Sequence, residues 1–571
     1  MTVNFSSLIE KRPCLKLALL LIILAFLAWS ARFWLSSGFG LYEDDLTYIP
    51  GAIDASFSEM MRDVSAQLTT MSHQGRPLMW SWVILFSYLG WHLGGLQGIY
   101  VIAYLIWLVN IVLFVLLLRK LNESFFFSVI GGLVYVLFSA DTNQAFLFNA
   151  LGLQPALTFL LIAMHLYLRD TKARWLAYLF LLLVLINYET PFWLFLAAPL
   201  LREETGKPLW KKLLVNAILM GIIFVGIYFI RQLAGDTRVA ALSLQDMIIT
   251  PIKHMAIGPA VSLGIYFLRP VLVLRALTPF LAIMALLSAG AMFAMLMYAF
   301  RKEKLPAVKI FPLKKGWWER LSPEFKRELR LLLAGLIMVV FAYPLTIILR
   351  PYAISGRETR VHFAGVVGAA LVGACVATMV LRALKGQGWR VALLGLISLV
   401  LGMNFAFGFV IQKAYVRAWD LQKSFWQALI PLVSDAVDGT AILVEPSGME
   451  DVLYIDANTW VLPRMLERFY VFPEDWERVP AVYRLAKFWE ENIVRVPGYF
   501  TIDGTNSFAH LVAFGDYDQR LAIYISTEGG TLERKPTMTF LDEVITLKPV
   551  GPDIFSTFET TTLYDLMIRA D

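Results

Sequence analysis

The stretch PLMWSWVILFSYLGWHLGGLQGIYVIAYLIWLVNIVLFVLLLRK, residues 77–120, carries no Lys, Arg, Asp or Glu between Pro77 and Leu118. At about 1.5 Å per helical residue it could cross a hydrocarbon core of about 30 Å twice. Whether it does so decides the topology of everything after it, because basic residues in short loops favour the cytoplasmic side. If only its second part, about 97–118, crosses, Arg119-Lys120 lies inside and the later loops follow one pattern. The loops then placed inside (N-terminus, 119–124, 169–174, 202–212, 301–330, 382–390) hold 25 Lys and Arg, against 10 in those placed outside. A hairpin at 77–118 inverts every later loop and puts the cation-rich 301–330 segment outside.

The sequence therefore predicts eleven spans, at about 15–37, 97–118, 125–140, 152–169, 174–188, 190–202, 212–230, 277–300, 329–349, 363–384 and 389–411. The N-terminus is expected in the cytoplasm and the C-terminus outside. Lys11, Arg12 and Lys16 ahead of Leu17–Trp29 imitate a secretory signal, but a chain with many further spans makes this an uncleaved first span. Residues 77–95 are expected as an apolar helix in the outer interface, with Trp80, Tyr88 and Trp91 at headgroup level. Met255–Ala276, which contains Arg269-Pro270, reads either in the same way or as an ordinary span.

Composition agrees with this class. Hydrophobic residues make up 58% of the 571 and charged residues 16%, which excludes an ordinary soluble protein. Cys14 and Cys375 are the two cysteines, so neither a disulfide framework nor a thiolate metal site is expected. After Gln412 the character changes. Residues 412–571 hold 14 Lys and Arg against 24 Asp and Glu, whereas the preceding 411 hold 36 against 20. The fold class expected is an α-helical polytopic membrane protein (1–411) followed by a soluble α/β domain (412–571) outside the membrane. That domain is expected to open with a helix at 412–436. Strand candidates follow at Thr440–Glu445, His510–Gly515 and Leu521–Ser526, the last two forming a hairpin through Asp516-Tyr517-Asp518.

The loops placed outside concentrate the groups that can do chemistry. The first follows span one directly and reads Phe39-Gly40-Leu41-Tyr42-Glu43-Asp44-Asp45-Leu46-Thr47-Tyr48. Three consecutive carboxylates beside a bilayer are costly and mark a functional site, the alternative being a solvated helix end. The same loop ends with His73 and Arg76. Glu189 sits in a four-residue loop, Lys253 and His254 in a later one, and Arg357, Arg360 and His362 in the last. His73 and His254 read equally as hydrogen-bonded loop histidines, and Arg350 as a headgroup anchor. The polar stretch containing Asp141, Asn143 and Asn149 reads as a turn. A carboxylate to take a proton from a hydroxyl and cations to receive a departing phosphate are the parts of group transfer from a phosphate carrier.

The layout resembles the GT-C glycosyltransferases, membrane enzymes that use polyprenyl-phosphate-linked sugars. Asp44-Asp45-Leu46-Thr47-Tyr48 is similar to that superfamily's Asp-Glu-x-x-Tyr motif, with Asp at the second acid. Gly75-Arg76-Pro77-Leu78 resembles its juxtamembrane Pro-Pro-Leu segment, with Arg-Pro for Pro-Pro. Gly356-Arg357-Glu358-Thr359-Arg360 stands where such enzymes carry a basic motif. The resemblance covers about residues 1–411. It implies an inverting displacement with Asp44 as catalytic base and Asp45 orienting the substrate, while Glu43, Tyr48, His73, Arg76, Glu189, Lys253, His254, Arg357, Arg360 and His362 bind substrate. A lipid-linked sugar donor, a glycan, lipid or protein acceptor and the membrane are the implied partners, with no nucleic acid. No obligatory cofactor or metal is expected, a divalent cation remaining possible. The plasma (inner) membrane is the expected location. A transporter or flippase, or a lipid-linked polymer ligase, is the alternative. A transporter would place its ionisable groups mid-span and show duplicated halves.

Overall fold

The run at 77–120 forms one helical stretch with a sharp break. The computed structural model describes residues 13–70, 75–143, 145–169, 172–202, 207–233, 244–303, 321–347, 349–444, 461–484, 493–496, 499–502, 522–526, 531–540, 543–547 and 549–569. Pro77–Leu121 is helical except at Gly94 and Gly95, and Gly95 has a φ of 59°. A Cβ on Gly90 would lie 2.5 Å from the Cα of Ile99, and one on Gly98 2.0 Å from the carbonyl oxygen of Gly90. Only glycine permits so tight a fold-back. Gln97 donates to the carbonyl of Ser36 at 2.7 Å, just past the end of the first helix, Pro13–Arg32. Lys120, at the far end, reaches the carbonyl of His165. The second arm therefore runs between two faces of the bundle, while the first begins at the face where residue 97 also lies.

Eight helices are long and apolar enough to cross a membrane, by length and composition, and Phe125–Val136, Arg174–Asn187 and Phe192–Leu201 are shorter apolar helices. The ends of these elements gather on two faces. On one, Glu303 accepts from Ser124 and from the N–H of Phe125, and Arg382 pairs with Glu328 at 3.0 Å. On the other, Arg32 donates to the carbonyl of Phe138, Asn187 to that of Gly152 at 2.8 Å and Gln412 to that of Ser30 at 3.0 Å. We call the second the loop face. Pro323–Phe341 is a further helix of the bundle among the described residues. The chain is a polytopic helical membrane protein.

One of the eight long helices, Leu244–Arg275, stays at the loop face. His254 bonds Thr346 at 2.8 Å, Tyr266 donates to the carbonyl of Val134 at 2.8 Å, and Arg269 donates to the carbonyls of Ser139 and Ile354 at 3.2 and 2.7 Å. His254 and Arg269 are about 22 Å apart along the helix axis at the usual rise, yet Thr346, Ser139 and Ile354 all lie in connections between helices and Val134 lies in the last turn of its helix. Pro270 cannot donate to the carbonyl of Tyr266, and Asn404 supplies the missing donor at 3.0 Å.

Two compact units emerge, one of residues 1–37 and 61–413, the other of 38–60 and 414–571. The division differs from a boundary at 411/412 in one respect. The acid-bearing stretch belongs with the tail, because Tyr42 donates to the carbonyl of Tyr415 at 2.7 Å and the rings of Phe39 and Tyr415 lie 5.1 Å apart. The expected helix at 412–436 is the end of Gln387–Val433, continuous with the last span. Ala441–Val444 pairs in parallel with both Ala481–Arg484 and Ala522–Ser526, and the latter pairs antiparallel with Glu533–Lys535. The expected strand at His510–Gly515 and its turn lie outside the described residues.

Candidate functional site

The acidic turn is built by close packing within the second unit. Gly40 lies against Trp419 so tightly that a Cβ would fall 1.8 Å from the indole. Its N–H donates to the Tyr42 hydroxyl at 2.9 Å. Burial pushes the Tyr42 phenol well above its usual value, with Asp45 adding to the effect. Glu43 has a φ of 53°, a left-handed conformation that is uncommon outside glycine and clusters at functional sites. Asp44 is the N-cap of helix Asp45–Asp54, but its side chain makes no capping hydrogen bond. Asp45 accepts the N–H of Tyr42 at 3.2 Å and so closes the turn. Glu43, Asp44 and Asp45 are 5%, 9% and 0% exposed, which rules out a solvated helix end. Tyr48 is half-buried one turn on.

The first unit presents a separate cluster at the loop face, where two loops far apart in sequence are knitted together. Asn143 donates its side-chain amide to the carbonyls of Gly356 and Arg357, at 3.1 and 2.6 Å. Thr142 donates its N–H to the Thr359 hydroxyl at 3.1 Å, and the two hydroxyls are 2.8 Å apart. Residues Arg357–His362 form a 3₁₀ turn rather than the start of an α-helix. Side chains three apart eclipse in that geometry, so Arg357 and Arg360 project from one face of the turn. Arg350, outside the turn, pairs with Glu358 at an exposed 3.4 Å.

His362 anchors the end of the turn. Its Nε2 donates to the carbonyl of Ala353 at 2.8 Å, which leaves Nδ1 to accept, with the Tyr343 hydroxyl at 2.9 Å. Burial pushes this imidazole down to about 4, so it is neutral and holds backbone. His254 is buried against Thr346, whereas Lys253 is exposed on a different side of the same helix. His73 lies outside the described residues.

Arg76 and Glu189 meet each other. The Arg76 fork spans both carboxylate oxygens, with Nε 2.9 Å from Oε2, and the guanidinium stacks over the Tyr188 ring at 4.3 Å. Arg231 approaches the same carboxylate at 3.5 Å and donates to the carbonyl of Gly75. Burial raises the Glu189 carboxyl, but the two arginines outweigh it and hold the group well below the usual carboxylate range. This triad ties the first loop to the end of helix Lys207–Leu233.

Three residues absent from the sequence expectation join the cluster. Asp141, read as part of a polar turn, is 2% exposed and accepts the N–H of Asn143 at 2.9 Å. Burial raises its carboxyl to about 7, against the pull of Arg32 and Arg360. Arg269, fully buried, braces both loops through Ser139 and Ile354 and stacks over Phe407 at 4.3 Å. Arg32, inside the expected first span, is buried and donates to the carbonyl of Phe138. Among the described residues no group of three His, Cys, Asp or Glu side chains is placed to hold a metal ion.

No protein-family model and no curated protein matches the chain. Among solved structures it is similar to ArnT from Cupriavidus metallidurans in the apo state, with a TM-score of 0.30 and 15% identity, over 75% of this chain and 82% of that one.

Proposed function

We propose that the chain is a membrane glycosyltransferase of GT-C type, transferring a sugar from a polyprenyl-phosphate carrier to an acceptor hydroxyl with inversion. The observation that carries this reading is the pair Arg357 and Arg360, eclipsed on a 3₁₀ turn that Asn143, Thr142 and His362 hold at the loop face. A paired guanidinium site beside hydrocarbon suits the phosphate of a lipid, because fixed donors count for more in low dielectric than in water.

In the proposed reaction Asp44 takes the acceptor's hydroxyl proton as that oxygen attacks the anomeric carbon. The bond from the anomeric carbon to the phosphate oxygen breaks, and its electron pair leaves with the polyprenyl phosphate. Arg357 and Arg360 stabilise the charge that develops there. Asp45, fully buried and bonded to Tyr42, fixes the turn that presents Asp44. The positive-inside bias supports a loop face outside the cytoplasm, and the resemblance supports the plasma membrane as the location.

Transfer of label from a radiolabelled polyprenyl-phosphate sugar tests this in proteoliposomes with a membrane extract as acceptor. We expect labelled product and free polyprenyl phosphate in equal amounts. Donor that stays intact, or turnover that persists in Asp44→Asn, would overturn the proposal.

A further inference from the structure

The second unit contains a short antiparallel ladder in which Tyr470 pairs with Thr560 and Val471 with Glu559. Continuing that register sets Phe472 opposite Phe558, and their rings lie 5.3 Å apart. The chain then turns, with the N–H of Trp476 donating to the carbonyl of Pro473 at 3.1 Å. This turn folds the indole back onto Phe472, stacked at 27° with centroids 5.3 Å apart, and edge-on to Phe558 at 5.5 Å. Asp438 fixes the far end of the turn by accepting the N–H groups of Glu477 and Arg478 at 3.1 and 2.7 Å.

The three rings form an outer layer over a buried one. Tyr470 and Phe555, whose rings lie 4.9 Å apart, are buried, whereas Phe472, Trp476 and Phe558 stay partly open to solvent. Two features go beyond packing. Among the described residues none accepts from the indole N–H of Trp476, and this donor is not a buried one. Glu474, Asp475 and Glu477, which flank Trp476 in sequence, are exposed, and no described side chain or backbone group pairs with their carboxylates. Residues 472–478 hold these three carboxylates and one cation, Arg478.

A fixed aromatic surface with one open donor and several open acceptors suits a ligand that is apolar on its face and polar at its edge. A pyranose ring is such a ligand. Its C–H face stacks on aromatic rings, and its hydroxyls donate to carboxylates and accept from an indole N–H. The excess of carboxylates disfavours uronates and phosphorylated sugars by like-charge repulsion.

We propose that Phe472, Trp476 and Phe558 form a platform that binds a pyranose ring of a non-acidic glycan. Stacking supplies the affinity, the carboxylates and the indole N–H orient the hydroxyls, and the negative rim excludes acidic chains. Because the turn is held by Asp438, little ordering is needed on binding.

The test uses the full chain in phosphatidylcholine nanodiscs with maltohexaose, N-acetylchitohexaose and hexagalacturonate, and saturation-transfer NMR as the measure of binding. We expect saturation of ring C–H protons in a neutral hexasaccharide and none in hexagalacturonate. Trp476→Ala should weaken binding about tenfold or more, as loss of a central aromatic anchor does. Trp476→Phe keeps a ring face without the donor and should weaken it less. Asp44→Asn should bind as the unsubstituted chain does, which separates this platform from the acidic turn. No saturation with either neutral probe, equal binding by Trp476→Ala, or preference for hexagalacturonate would overturn the proposal. If Trp476→Ala fails to fold, hydroxyl-radical footprinting of the unsubstituted chain gives a second reading. The bound saccharide should shield Trp476 from oxidation. A saccharide that binds while Trp476 stays equally reactive would leave this face to a protein partner, and would refute the proposal. Neither measurement depends on sugar transfer, so the result stands apart from the proposed chemistry.

Discussion

The side-chain amide of Asn143 donates to the backbone carbonyl of Arg357 at 2.6 Å, joining residues 214 positions apart in sequence. The polar loop after helix Phe125–Val136 is thus a clamp on the arginine turn. Replacing Asn143 with Ala strands the carbonyl of Arg357, while that of Gly356 keeps the donors of Thr359, at a cost of about 1–3 kcal/mol for an acceptor shielded from water. We expect a chain that still inserts and unfolds cooperatively, with donor turnover down about tenfold through lost positioning. Wild-type turnover in Asn143→Ala would mean that the clamp does not set the geometry.

Asp44 and Asp45 are adjacent but differ in what they hold. Asp44→Asn should lower transfer by about 10²–10⁴, the usual worth of a general base, with thermal stability unchanged. Asp45→Ala should lower both transfer and melting temperature, because it removes the oxygen that accepts the N–H that closes the turn. Paired rate and unfolding measurements separate the two. A stable, inactive Asp45→Ala beside an active Asp44→Asn would exchange their roles.

Arg357→Lys and Arg360→Lys keep the charge but lose the planar fork. Each should cost about 10- to 100-fold in donor turnover, as expected for a charge-assisted pair made single. Arg350→Lys, whose pair with Glu358 is exposed, should stay within about twofold. Equal tolerance at all three positions would move the phosphate site elsewhere.

Asp141 gives a pH dependence of definite sign. Its folded value, about 7, lies above the unfolded value of about 3.9. The unfolded chain therefore releases this proton first as pH rises. Stability falls from about pH 4 to about pH 7 and levels off above. Asp141→Asn should flatten that slope in thermal unfolding between pH 5 and 8. Parallel slopes in the two proteins would show that the carboxyl does not titrate as its burial implies.

The membrane architecture was legible because it rests on local features. Uncharged length, the pair Gly94-Gly95 and the bias of Lys and Arg are all readable without tertiary contacts, and so was the possibility that 255–276 stays at one surface. The arginine turn was legible as Arg357 and Arg360 three apart, though not its 3₁₀ form, which depends on Thr142 and Asn143. Glu189 shows the limit. A carboxylate in a short outer loop reads as a candidate ligand for substrate, but its partners Arg76 and Arg231 are 113 and 42 residues away. Asp141 was passed over for the same reason, since burial and not sequence neighbours raises its carboxyl. The placement of 38–60 with the tail was equally invisible, because Tyr42 and Tyr415 are 373 residues apart.

That last pairing sets an order on biosynthesis. Residues 38–60 leave the ribosome early, but the partners that shape their turn, Tyr415 and Trp419, are made only after every span has been synthesised. Until then nothing fixes Glu43 in its left-handed conformation or seats Gly40 on the indole. A nascent or truncated chain can fill the bilayer with its full bundle and still lack a formed acidic turn. Completion of the polypeptide is itself the step that forms the turn, so an unfinished copy carries the three carboxylates without the conformation that the full chain gives them.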